Sequence, residues 1–138
     1  MADMVKTVFR SAFHSDREAR MDIVDIIAMA VIREAALRGL SFNELRLVID
    51  EAVTNAMEHG NSWESGKFIQ VEIEHRHGGI AVSIEDEGQG FNPRRAIRLI
   101  SESKDRLRLR GRGLAIISRF CMMKWNRKGN RITLLFQS

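Results

Sequence analysis

A chain of 138 residues, 44% hydrophobic and 29% charged, has the size and composition of one soluble domain spanning 1–138 with a substantial core. Its single cysteine, Cys121, excludes an internal disulfide framework, and no leader-like start or long apolar run stands out, so a cytoplasmic location away from membranes is expected. The net charge of +4 would suit nucleic acid, but eight of the 22 basic residues and only two of the 18 acidic ones fall within 94–112, with no aromatic residue among them; this favours a compact polyanion such as a triphosphate over direct nucleic-acid binding.

In chain order, Val5, Phe9 and Phe13 alternate with Lys6 and Arg10, predicting an edge strand over 5–13. Val24, Ile27, Ala28, Val31 and Ala35 then mark one face of a helix from about Glu18 to Arg38, with Gly39 as its stop. Ser41 and Glu44 have capping-box spacing and open a second helix running to about His59, ended by Gly60 and Asn61. Ile69, Val71 and Ile73 predict a strand, turned by His77-Gly78-Gly79 into a second strand over 80–85. Pro93 to about Ile100 reads as a short helix, and 101–110 as a polar, mobile loop. Gly111-Arg112-Gly113 opens a third helix through Phe120, followed by a hairpin of 122–125 and 131–136 around Lys128-Gly129-Asn130. This order predicts an α+β fold, helices on one face of a mostly antiparallel mixed sheet.

Two places carry chemistry. Ile80, Val82 and Ile84 face one side of their strand, and the same parity turns Asp86 inward, where a carboxylate is costly unless a donor meets it. Gly88 and Gly90 follow directly, and their missing side chains let backbone come close to a ligand. In the second helix, Glu51, Asn55 and Glu58 make a polar stripe beside the apolar face of Leu45, Ile49, Ala52, Val53 and Ala56. A solvated face is the ordinary reading of such a stripe. Asn55 resists it, because Asn is a poor helix-interior residue, while an amide oxygen suits a hard cation.

The run Glu51-Ala-Val-Thr-Asn55-Ala-Met-Glu-His-Gly60 resembles the N box of the ATP-binding superfamily shared by DNA gyrase, heat-shock ATPase chaperones, sensor histidine kinases and MutL-type repair proteins. Asp86-Glu-Gly88-Gln-Gly90 is similar to its first glycine box, and Gly111-Arg112-Gly113-Leu114 to its second. Within the superfamily the chain looks closest to the bacterial anti-sigma-factor serine/threonine kinases. The resemblance implies the Bergerat fold, a two-layer α/β sandwich. It implies Mg²⁺ on Asn55 and Glu51 as the base for an attacking hydroxyl. Asp86 would take the adenine amino group, with Gly88, Gly90, Gly111, Arg112, Gly113 and Leu114 around the nucleotide and Thr133 helping to hold adenine through water. Ala115 departs from the pattern, standing where many relatives have glycine.

The basic segment is then expected to close on ATP. The implied activity is phosphorylation of a small anti-sigma-factor antagonist by a homodimer that sequesters a sigma factor. The alternative is a nucleotide-gated binding protein with little or no kinase activity. A histidine kinase's catalytic half would need a phosphoacceptor domain, and a gyrase-like motor a transducer; no segment here matches either. His59 is expected to complement its helix end, His75 and His77 to be hairpin residues, Cys121 to be core, and Met122, Met123 and Trp125 to pack the sheet.

Overall fold

The computed structural model describes residues 5–90, 92, 94 and 109–138, with side chains described from Gly113 onward in the last stretch. Among these residues the chain order is β1 (Lys6–His14), α1 (Arg20–Glu34), α2 (Phe42–Thr54), a π-helical turn (Asn55–Gly60), β2 (Phe68–Arg76), β3 (Gly79–Glu85), α3 (Leu109–Phe120), β4 (Met122–Trp125) and β5 (Arg131–Gln137). The expected short helix from Pro93 and the loop at 101–110 fall outside the described residues, apart from Arg94, Leu109 and Arg110, the last two of which are already helical.

The strands form one sheet in the order β1-β2-β3-β5-β4. Every pairing is antiparallel, so the mostly antiparallel sheet expected from the sequence is antiparallel at each of its joins. β1 is an edge strand with a register shift between Thr7 and Phe9. Alternation builds the inner face: Ile69, Val71 and Ile73 of β2, Ile80, Val82 and Ile84 of β3, and Ile132, Leu134 and Phe136 of β5 are all buried. They meet Val24, Ile27 and Val31 of α1, Leu45, Val48, Ile49 and Ala52 of α2, and Leu114 and Ile117 of α3 in a single cluster. This is the two-layer α/β sandwich that the resemblance implies. The outer face is polar, with Arg10, Glu72, Arg131 and Glu85 linked in a chain of ion pairs; exposed pairs of this kind contribute little stability each.

Local differences from the sequence expectation have identifiable causes. Helix α1 ends at Glu34, not at Arg38, because Ala35 turns extended at φ −160° and ψ 148°. That exit lets Leu37 and Leu40 pack on the core and the Arg38 N–H donate to the Gln137 carbonyl at 3.0 Å. The capping box at Ser41 and Glu44 forms in both directions, at 3.1 and 2.9 Å. The second helix does not stay α to His59. Its last six residues widen into the π turn, whose end is closed by the Asn61 N–H on the Ala56 carbonyl at 2.9 Å. A π turn holds an extra residue, and such bulges recur at functional sites.

Candidate functional site

The motifs spread along the sequence converge where the inner ends of α2, β3, α3 and the β4–β5 turn meet. Asp86 lies one residue past the end of β3, is 9% exposed, and faces inward as its strand parity requires. It lines a recess with Asn55, Ala56, Leu114, Trp125 and Asn130, above a floor of Ile84 and Ile132. The free volume of this recess is about 20 Å³, room for about one water, so anything as large as a nucleobase would enter only by displacing part of the wall.

Asp86 is closely held. Its Oδ1 accepts from the Gly88 N–H at 2.8 Å. A Cβ at Gly88 would lie 2.9 Å from that oxygen and 2.4 Å from the Gly60 carbonyl oxygen. Gly60 closes the other side, since a Cβ there would meet Asp86 Cγ at 2.1 Å. Asn61, fully buried, ties the end of the π turn to this loop: its Oδ1 accepts from the Glu87 N–H at 2.8 Å while its Nδ2 donates to the Phe68 carbonyl at 3.0 Å. Gly90 has φ +78°, a conformation that favours glycine, and its missing side chain makes room for the Lys128 carbonyl.

Glu51 and Asn55 are both half-buried, one turn apart on α2 and at the start of the π turn. Gly113 comes to rest against them: a Cβ there would be 2.8 Å from Glu51 Oε2 and 3.5 Å from Asn55 Nδ2. Helix α3 begins at Leu109, two residues before the glycine pair predicted to open it. Gly113 therefore sits in the second turn, and its missing side chain serves the close crossing of α3 over α2. Gly111 and Arg112 lie in the first turn, and the Arg112 side chain is outside the described residues. Leu114 is 1% exposed and forms part of the recess wall. Asn55 Nδ2 is buried and has no hydrogen-bond partner among the described residues. An unpaired buried donor costs about 1–3 kcal/mol, so the position fits a ligand. A phosphate oxygen would accept from Nδ2, and the flipped amide would present Oδ1 to a cation. One side-chain oxygen is a usual protein share for Mg²⁺, which takes its remaining ligands from water and phosphate.

Thr133 is the residue that the structure moves. It pairs in register with Ser83, and their hydroxyl oxygens are 2.9 Å apart. Ser83 alternates with the inward Val82 and Ile84, so Thr133 points to the outer face, away from the recess. The residue of that segment beside Asp86 is Asn130. Asn130, Asn61, Gly60 and Trp125 are the site residues that motif reading did not assign. The remaining candidates are ordinary: His75 pairs with Glu34 at 3.1 Å, His59 approaches Glu58 at 3.7 Å, and burial pushes the Cys121 thiol up to about 12.

Residues 14–136 match the family model described as the histidine kinase-like ATPase domain. The chain is also similar to an "Anti-sigma F factor" of Shouchella clausii (strain KSM-K16), 28% identical over 124 residues, covering 88% of this chain and 80% of the relative. A second "Anti-sigma F factor", from Geobacillus sp. (strain WCH70), is 31% identical over 78 residues, which is 56% of this chain and 53% of that protein.

Proposed function

The chain belongs to the histidine kinase-like ATPase domain family, and from that premise we propose that it is a cytoplasmic, homodimeric Mg²⁺- and ATP-dependent serine/threonine-protein kinase acting as an anti-sigma factor. Its substrate would be a small anti-sigma-factor antagonist, and its second partner the sigma factor. Support for the partners comes from the two anti-sigma F factors to which the chain is similar. The observation that carries the chemistry is the place of Asn55, which lines one recess with Asp86 and lies with Glu51 against Gly113.

In this reading Asp86 accepts a hydrogen bond from the adenine amino group, while guanine would turn a carbonyl toward it. Gly88 and Gly90 let the loop lie close to the nucleotide. Asn55 would hold Mg²⁺, which neutralises phosphate charge when bound. Glu51 takes the proton from a serine or threonine hydroxyl as that oxygen attacks the γ-phosphorus, and ADP leaves with the β–γ bridging oxygen. The position of Glu51 suits this step: it abuts Gly113 and also borders an open depression with Arg17, Arg20 and Trp63, through which a protein substrate can reach it.

The test is phosphoryl transfer from [γ-³²P]ATP to candidate antagonist proteins. Wild type should label a serine or threonine. Glu51→Gln keeps the side-chain shape, so ATP affinity should stay within a few-fold while transfer falls by about 10²-fold or more. If wild type binds ATP tightly yet labels no antagonist, the chain is a nucleotide-gated binding protein. Normal transfer by Glu51→Gln would make that residue structural.

A further inference from the structure

We propose that Asn126 and Asn130 act as a positioning pair that sets the Asp86 carboxylate for base recognition, a role that rests on reading Asp86 as the adenine acceptor. The β3–β5 ladder ends at the pair Glu85 and Arg131. Beyond it Asp86 is held by one residue in both directions. The Asp86 N–H donates to the Asn130 carbonyl at 2.9 Å, and Asn130 Nδ2 donates to the Asp86 carbonyl at 2.9 Å. Asn130 thus adds a rung to the sheet, half main chain and half side chain.

Asn126 fixes the donor of that rung. Its Nδ2 donates to Asn130 Oδ1 at 2.7 Å, which orients the amide so that Asn130 Nδ2 faces Asp86. Its Oδ1 accepts from three consecutive main-chain N–H groups, those of Gly129 at 2.8 Å, Asn130 at 3.1 Å and Arg131 at 3.1 Å. The turn is therefore wound around one side chain. It also abuts the far end of the glycine loop, where the Lys128 carbonyl fills the space of a Gly90 side chain. The loop from Asp86 to Gly90 is held at both ends by this one turn.

Among asparagine, aspartate and alanine at 130, asparagine alone both accepts from Asn126 and donates to Asp86; aspartate lacks the donor and alanine lacks both. A merely structural turn would influence stability without regard to which base is bound. A positioning pair influences discrimination, because a carboxylate displaced by a fraction of an ångström loses the adenine bond, whereas guanine has none to lose there.

The experiment measures Kd for ATP and GTP with Mg²⁺ by calorimetry on the full chain, with a thermal melt of each variant. Asn130→Ala should weaken ATP about tenfold and GTP less than about twofold, the scale of a misplaced hydrogen bond. Asn126→Asp keeps the acceptor for the three N–H groups but sets a carboxylate oxygen against Asn130 Oδ1 in place of the donor, so the Asn130 amide loses its orientation. It should lower the ATP-to-GTP preference too, and it serves where Asn130→Ala does not fold. Asp86→Asn tests the premise. Wild-type ATP affinity in that variant would overturn the adenine reading, and the nucleotide role of the asparagines with it. If Asp86→Asn loses ATP while the asparagine variants keep wild-type base preference, the positioning proposal alone falls. In the double variant Asp86→Asn/Asn130→Ala, the second change should add less than about twofold, the non-additivity of groups acting through one contact.

Discussion

Replacing Gly60 with alanine should separate nucleotide binding from stability. The backbone at Gly60 has no positive φ, so alanine is conformationally acceptable there and the effect is steric. Its methyl group would lie 2.1 Å from Asp86 Cγ and 2.3 Å and 2.6 Å from the two carboxylate oxygens. Non-bonded carbons settle at about 3.5–4.0 Å, so the carboxylate must retreat by roughly 1.5 Å. It has little room, since Asn130 holds the Asp86 main chain and Gly88 holds Oδ1. Overpacking costs about 1–3 kcal/mol, partly offset by the roughly 1 kcal/mol advantage of alanine over glycine in helical backbone. The melting temperature should therefore fall by only a few degrees. A displaced, buried, charged hydrogen bond to the base costs about 2–5 kcal/mol, roughly thirtyfold to several thousandfold in Kd. The assay is ATP titration of Gly60→Ala in a Trp63→Phe background, reading Trp125 in the recess wall, with a melt alongside. A fully folded variant with ATP affinity within about threefold of wild type would refute the reasoning, because Asp86 would then not be the group that sets affinity.

Trp125 fluorescence should change on ATP binding in Trp63→Phe, since entry of a base displaces part of the recess it lines; an unchanged spectrum at saturation would place the base elsewhere. Asn55→Ala should abolish the Mg²⁺ dependence of ATP binding and, by removing a buried donor with no partner among the described residues, leave stability equal or higher by up to about 1–3 kcal/mol in denaturant titration. Ser41→Ala removes the hydroxyl that accepts from the Glu44 N–H at the start of α2 and should cost about 1 kcal/mol in denaturant titration without altering nucleotide affinity. Burial raises the Cys121 thiol from 9.0 to about 12, so its stabilising contribution is complete below about pH 9 and lost as pH rises towards 12. Denaturant titrations at pH 8 and pH 10.5 should show a smaller loss for Cys121→Ala than for wild type, and iodoacetamide should label native Cys121 slowly at pH 8.

The strands, the capping box and the inward turn of Asp86 were legible because alternation and spacing are local signals. The same parity was available for Thr133: Ile132, Leu134 and Phe136 face inward, so a residue between them faces out. Motif resemblance points the other way, and the pairing of Thr133 with Ser83 agrees with the parity. Asn130 carried no such signal, since an asparagine after glycine reads as an ordinary turn residue, and its partner Asp86 lies 44 positions away. Gly60 looked like a helix stop because sequence shows where a chain can end a helix, not which carboxylate later occupies the space a side chain would need. The π turn was illegible for a related reason: no residue type in Asn55–Gly60 demands it, and tertiary contacts select it.

That π turn makes chain length at 55–60 a constraint in its own right. Were the segment to tighten at full length to an ordinary α-helix, the state its neighbours in α2 already hold, the chain beyond it would run one residue ahead. The positions that follow would then rotate by about 100° and move about 1.5 Å along the axis. Gly60 would leave Asp86, and Asn61 would lose Glu87, with every chemically important side chain still present in the sequence. Substitution scans across this stretch would miss that vulnerability, and single-residue insertions would expose it. Length changes between Glu51 and Asp86 are better placed in the 62–67 connection or the turn at 77–78, neither of which lines the recess.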